Sequence, residues 1–191
     1  MAKQAILILG APGSWKGTQA KNIVDRYGFV QISTGELLRE RRKVDDELWN
    51  IIAKIQDEGG LVSDEVTASI LEEHITHLQA GKILFDGFPR NEAQIQIFEE
   101  LLNRLGIEKL IPIYLYVEEE ELIRRLLNRA KIEGRKDDNE ETITTRIQTY
   151  NAVTQPVVEY YMKSSKFIQV DGNEPIEVIW AALEEILDSK L

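Results

Sequence analysis

The sequence predicts an α/β fold: a five-stranded parallel sheet with helices on both faces and two small mobile insertions. Three observations predict it. Five short apolar runs alternate with helical stretches, the runs carry few polar residues, and three of them lead directly into glycine-containing polar motifs. Strands covered on both faces read as continuous apolar segments, and alternation with helices makes their connections parallel crossovers.

The first run, 5–9, leads into Gly10-Ala11-Pro12-Gly13-Ser14-Trp15-Lys16-Gly17-Thr18 and then a helical stretch over 19–27. Strand, glycine turn, lysine and helix start form the arrangement by which backbone N–H groups and an ammonium hold phosphate. The second run, 29–32, is followed by Ser33-Thr34-Gly35, and the third, 82–85, by Asp86-Gly87-Phe88-Pro89-Arg90. Ile97, Phe98, Leu101, Leu102 and Leu105 then recur at helical spacing, as do Ile176, Ile179, Trp180, Leu183 and Leu187 near the end of the chain. The remaining strands are expected at 110–117 and 167–170. Acidic residues 118–121 suit a helix start, where carboxylates face the positive end of the dipole. Residues 33–62 and 128–138 break the alternation and read as insertions able to move over the sheet edge. Ligands on parallel sheets sit beyond the strand C-termini, so the three motifs are expected to converge there.

The chain has 191 residues, enough for one buried core, and 43% hydrophobic with 29% charged content suits a soluble domain. No apolar run approaches a membrane span, and the first residues lack a signal peptide's layout. With no cysteine, disulfides and thiolate zinc sites are excluded, and a cytoplasmic location is expected. A formal charge of −10 argues against nucleic-acid and anionic-membrane partners. The arginines nevertheless cluster, at 39, 41 and 42 and again at 124, 125, 129, 135 and 146, which suits a small polyanion held in one cleft. Arg125 and Arg129 are four apart and face one way on a helix, a placement that makes sense around an anion.

The glycine loop with Lys16-Gly17-Thr18-Gln19, the Ser33-Thr34-Gly35-Glu36-Leu37-Leu38-Arg39 stretch and Asp86-Gly87-Phe88-Pro89-Arg90 together resemble the nucleoside monophosphate kinases. So do Arg125-x-x-x-Arg129 and Gly134-Arg135-Lys136-Asp137-Asp138-Asn139 with Arg146, and these motifs span nearly the whole chain in family order. Thr34 and Gln94 resemble the adenylate kinase branch, whereas Asn91 and Ile147-Gln148-Thr149-Tyr150 are similar to the UMP/CMP kinases. The compact 128–138 segment resembles the short lid, which carries no zinc.

The resemblance implies a P-loop kinase fold and the reversible reaction ATP + AMP = 2 ADP, with Mg²⁺ as cofactor and a monomeric enzyme. It implies that Gly10, Gly13, Ser14, Trp15, Lys16, Gly17 and Thr18 hold the ATP phosphates, with Arg125 and Gly172 at the donor base. Thr34, Arg39, Gly59, Val62, Gly87, Arg90 and Gln94 would bind AMP. Lys16, Arg90, Arg125, Arg129, Arg135 and Arg146 would surround the transferring group. Asp137 and Asp138 would support the lid, and Asp86 would hold Mg²⁺ through water.

Trp15 departs from the pattern, because glycine normally precedes the lysine, where a positive φ and close phosphate approach are common. Two alternatives stay open: the indole swings outward and the cradle survives, or it intrudes and impairs donor binding or lid closure. The second would leave a catalytically impaired nucleotide-binding protein on the same fold.

Overall fold

The computed structural model describes residues 3–41, 47–58, 60–76, 78, 80–133 and 139–191, with 41, 47, 48, 51, 76 and 133 described by backbone alone. Its sheet contains β1 (Lys3–Leu9), β2 (Val30–Ser33), β3 (Lys82–Asp86), β4 (Ile107–Tyr116) and β5 (Ile168–Asp171), all parallel, in the order β2-β3-β1-β4-β5. The expected α/β architecture is therefore present. Its order changes direction at β1, the position where open parallel sheets leave a crevice.

Alternation along β1 divides the core. Ala5, Leu7 and Leu9 point to one face, packing with Phe85, Phe98, Leu101 and Val157, while Ile6 and Ile8 point to the other, against Ala20, Ile23, Leu183 and Leu187. The first layer is closed by α4 (Asp64–Thr76), α5 (Glu92–Leu105) and α8 (Gln155–Met162), the second by α1 (Lys16–Tyr27) and α9 (Ile176–Asp188). Phe98 lies at the centre of its layer, fully buried, with its ring edge-on to Phe85 at 4.9 Å and to Phe88 at 6.1 Å. Phe98→Ala is expected to lower unfolding free energy by about 3–5 kcal/mol, read from urea denaturation, because close-packed neighbours refill such a hole only in part.

β4 starts three residues earlier than the apolar run suggested. Gly106, at φ 68°, turns the chain sharply out of α5, so the polar stretch at its start already pairs with β1. Pro112 interrupts β4 without harm, since pairing with β5 begins only at Ile113.

The segment after β2 forms α2 (Thr34–Arg41) and α3 (Glu47–Asp57), which join α4 in a small satellite cluster of Leu38, Ile52, Val62 and Ile70. At the opposite side α6 (Glu119–Glu133) continues well past residue 128, and α7 (Glu140–Thr149) follows. A π-helical turn, Tyr150–Thr154, joins α7 to α8 where Pro156, near the start of α8, cannot donate a helical N–H. Among the described residues no helix is long and apolar enough to cross a membrane.

Candidate active site

Sheet register brings the three motifs together. Ser33 and Ile8 both lie beside Asp86, so Gly10, Thr34 and Gly87 emerge side by side at one sheet edge. Gly10 has φ 150°, and a Cβ there would stand 2.6 Å from Ser14 Oγ and 2.9 Å from Leu115 O. Only glycine lets the loop turn this tightly.

Lys16 is the first residue of α1, and its Nζ folds back to donate to Gly10 O at 2.7 Å and Ala11 O at 2.9 Å. Gly17 is exposed and Thr18 half-buried in the same first turn, while Gly13 and buried Ser14 complete the loop. Burial pulls the lysine's pKa down to about 8; Asp86 opposes this, and Arg90, Arg146 and Arg129 add to it. Those arginines and Asp86 therefore share its electrostatic space. Burial likewise pushes the Asp86 carboxyl up, against the pull of Lys16, Arg90 and Arg39.

The lysine gives a pH prediction with a definite sign. The folded ammonium releases its proton near pH 8 and the unfolded one near 10.5, so the folded state holds fewer protons between those values. Stability from this group is lowest below pH 8 and rises as pH climbs to about 10.5. Guanidinium denaturation at pH 7.5 and 10 is expected to show this rise relative to Lys16→Met, which lacks the titrating group.

The second and third motifs lock onto one carbonyl. Thr34 Oγ1 and Arg90 Nε each donate to Gly87 O at 2.7 Å, and Gly87 itself has φ 84°. Gln94 is buried and engaged at both ends: its Oε1 accepts from Arg90 N, and its Nε2 donates to Asp64 Oδ1, each at 2.7 Å. Asn91 caps α5 by accepting from Gln94 N at 2.8 Å and donates to the same Asp64 oxygen at 2.8 Å. Asn91 is thus committed to structure.

A cleft opens above these residues, lined by Gly10, Lys16, Gly35, Arg39, Arg90 and Arg146, with Gly60, Leu61 and Tyr150 along its far wall. Arg39 is exposed at its mouth, while Arg129 and Arg146 are half-buried. Val62 is buried in the satellite cluster, next to Gly60 and Leu61, which line the cleft wall. Gly59, Arg135, Asp137 and Asp138 lie outside the described residues.

Trp15 and Arg125 meet on the other side of the loop. Trp15 has φ 64° and ψ 17°, the one positive φ of a non-glycine residue among those described. The geometry costs a side-chain-bearing residue about 1–2 kcal/mol. Its indole turns inward, half-buried, with the Arg125 guanidinium 5.3 Å from the ring centroid. Arg125 is only 6% exposed. Its Nε donates to Glu121 Oε1 at 2.5 Å and one Nη2 hydrogen goes to Asn173 O at 3.0 Å, beside buried Gly172. Arg125 is thereby turned to Trp15, whereas Arg129 acts on Lys16.

Two contributors escaped the sequence. Glu121, read there as a helix-dipole residue, binds Arg124 and Arg125, and those bonds hold its carboxyl at about 2. Its spacing of three and four residues to those arginines was the available signal. Asp64 fixes Gln94 from 30 residues away, a distance that leaves no local pattern.

The family model described as adenylate kinase matches residues 8–166. The adenylate kinase of Parabacteroides distasonis is 40% identical over 185 residues, covering 96% of this chain and 97% of that protein. That of Porphyromonas gingivalis is 44% identical over 184 residues, covering 96% and 95%. The Thermus thermophilus protein of the same name is 38% identical over 184 residues, covering 96% and 97%. Likeness this deep, running nearly from end to end and across all three strand-end motifs, means that the chain belongs to the adenylate kinase family of nucleoside monophosphate kinases.

Proposed function

We propose that the chain catalyses reversible transfer of the γ-phosphoryl group of ATP to AMP, yielding two ADP. The observation that carries this is the gathering of Lys16, Arg39, Arg90, Arg129 and Arg146 about one cleft in a protein of net charge −10. An AMP phosphate oxygen forms the new bond to the γ-phosphorus while the β–γ bridging oxygen departs with its electron pair. The attacking oxygen is already anionic and the bridging oxygen leaves as a phosphate anion, so no side chain has to remove or supply a proton. Charge neutralisation, alignment and exclusion of water then supply the rate.

In this proposal Lys16 and the loop N–H groups hold the donor phosphates, Arg39 and Arg90 the acceptor phosphate, and Arg129, Arg146 and Arg135 the group in transit. Asp137 and Asp138 would support the lid at 128–138, which would close with the 33–62 segment over the cleft. Gln94 and Thr34 would face the acceptor base near Gly59 and Val62. Thr34 and Gln94, the residue types that resemble the adenylate kinase branch, favour AMP over the pyrimidine nucleotides as acceptor.

Asp86 fits a water-held Mg²⁺: its carboxyl is half-buried at a strand end beside the phosphate loop, and a bound cation would join Lys16, Arg90 and Arg39 in opposing the burial that pushes its pKa up. Bound with ATP, the ion would neutralise phosphate oxygens. A monomeric, cytoplasmic enzyme completes the proposal. Coupled ADP-formation assays with ATP and Mg²⁺ are expected to show turnover with AMP and little with CMP or UMP. Equal turnover with CMP would reassign the acceptor, and none with any acceptor would leave a nucleotide-binding protein only.

A further inference from the structure

We propose that the Trp15 indole occupies the seat of the donor's base on Arg125, so that this protein grips its donor by the phosphates and discriminates weakly among donor bases. The inference rests on the donor-site assignment above and adds what the donor site selects.

Trp15 immediately precedes Lys16 at the start of α1, so its side chain leaves the loop beside the phosphate cradle. A nucleotide whose phosphates lie on that cradle places its base one sugar away. The indole is a flat, bicyclic heteroaromatic ring, close to a purine in size, and it lies over the guanidinium at 5.3 Å, within the range of a favourable cation–π contact. A purine would seek the same face for the same reason, and ring and base cannot share it.

The rest of Arg125 is held in place. The side chain is 5% exposed, with Nε on Glu121 and Nη2 on Asn173 O. Its Nη1 is buried without a hydrogen-bond partner. A guanidinium nitrogen deprived of both water and acceptor marks a place built to meet a polar group, such as a ring nitrogen or a sugar oxygen, that the indole cannot supply. The backbone agrees: holding φ at 64° is costly for tryptophan, and a packed indole offsets part of that cost.

Calorimetric titration of the full chain with ATP, CTP and inorganic tripolyphosphate, each with magnesium, tests this. The three are expected to bind the natural chain within about fivefold of one another. In Trp15→Gly, ATP is expected to tighten about tenfold or more, the scale of one base stacking contact, with tripolyphosphate changed less than about twofold. Trp15→Phe, which keeps a flat ring over Arg125, is expected to resemble the natural chain. ATP already outbinding tripolyphosphate by more than tenfold in the natural chain would overturn the proposal. So would equal tightening of all three ligands in Trp15→Gly, which would assign the effect to loop strain. AMP titration separates the underlying functional assignment: failure of AMP to bind either protein would remove the kinase reading, whatever the donor results.

Discussion

Lys16→Met is expected to lower turnover about a thousandfold while leaving the melting temperature unchanged or higher. The loss follows from removing a preorganised cation at the transferring phosphoryl group, an effect worth two to three orders of magnitude or more in such sites. The stability result has a different origin. The ammonium is desolvated and repelled by Arg90, Arg146 and Arg129, with Asp86 alone opposing among its named charge neighbours. Its two hydrogen bonds go to Gly10 O, which borders the cleft, and to Ala11 O, and each is an ordinary contact worth about 1 kcal/mol net. Methionine keeps the stem and drops the charge, so what fails is the chemistry and not the fold. A stability loss above about 1 kcal/mol, the net worth of an ordinary hydrogen bond, would mean that the lysine acts as a structural strut.

Much of this was legible in the sequence, for identifiable reasons. The strands were visible because burial on both faces leaves no polar residue within 5–9 or 83–85, and β1 and β3 contain those runs. The turn into β4 was harder: Glu108 and Lys109 follow its first residue, and the φ of Gly106 rather than side-chain pattern sets where the strand starts. The convergence of the motifs was legible because each follows directly on a strand of one parallel sheet. Strand order was not, since the placing of β1 between β3 and β4 depends on packing across the whole domain.

Within the site the same division holds. Glycine, lysine and arginine spacing marked the cradle, because close backbone approach and fixed charge require those residue types. The direction of Trp15 could not be read, since it depends on Arg125, 110 positions away, and on Glu121 holding that arginine still. Nor could the tie between Asp64 and Gln94, which exists only after α4 and α5 have packed.

Arg90→Ala is expected to lower kcat/KM for AMP by a hundred- to a thousandfold while changing ATP affinity by less than about twofold, since a truncated charged contact to a buried phosphate typically costs 3–4 kcal/mol. Arg90 is aimed from two directions: its Nε is fixed to Gly87 O, and its backbone N–H is fixed to Gln94. Lysine cannot replace it, because a single ammonium cannot bond Gly87 O and present a fork to phosphate at once, so Arg90→Lys is expected to recover less than a tenth of the loss. Gly87→Ala approaches the same contact from the other side. The added Cβ would stand 2.7 Å from Thr34 Oγ1 and 2.9 Å from Arg90 Nη2, at a φ of 84° that alanine resists. The guanidinium would be displaced without being removed, so steady-state kinetics should show AMP use falling about tenfold or more with ATP affinity intact, as sub-ångström misplacement of a positioning group commonly costs. If ATP affinity fell equally in both variants, Arg90 would be holding the phosphate loop together and not the acceptor.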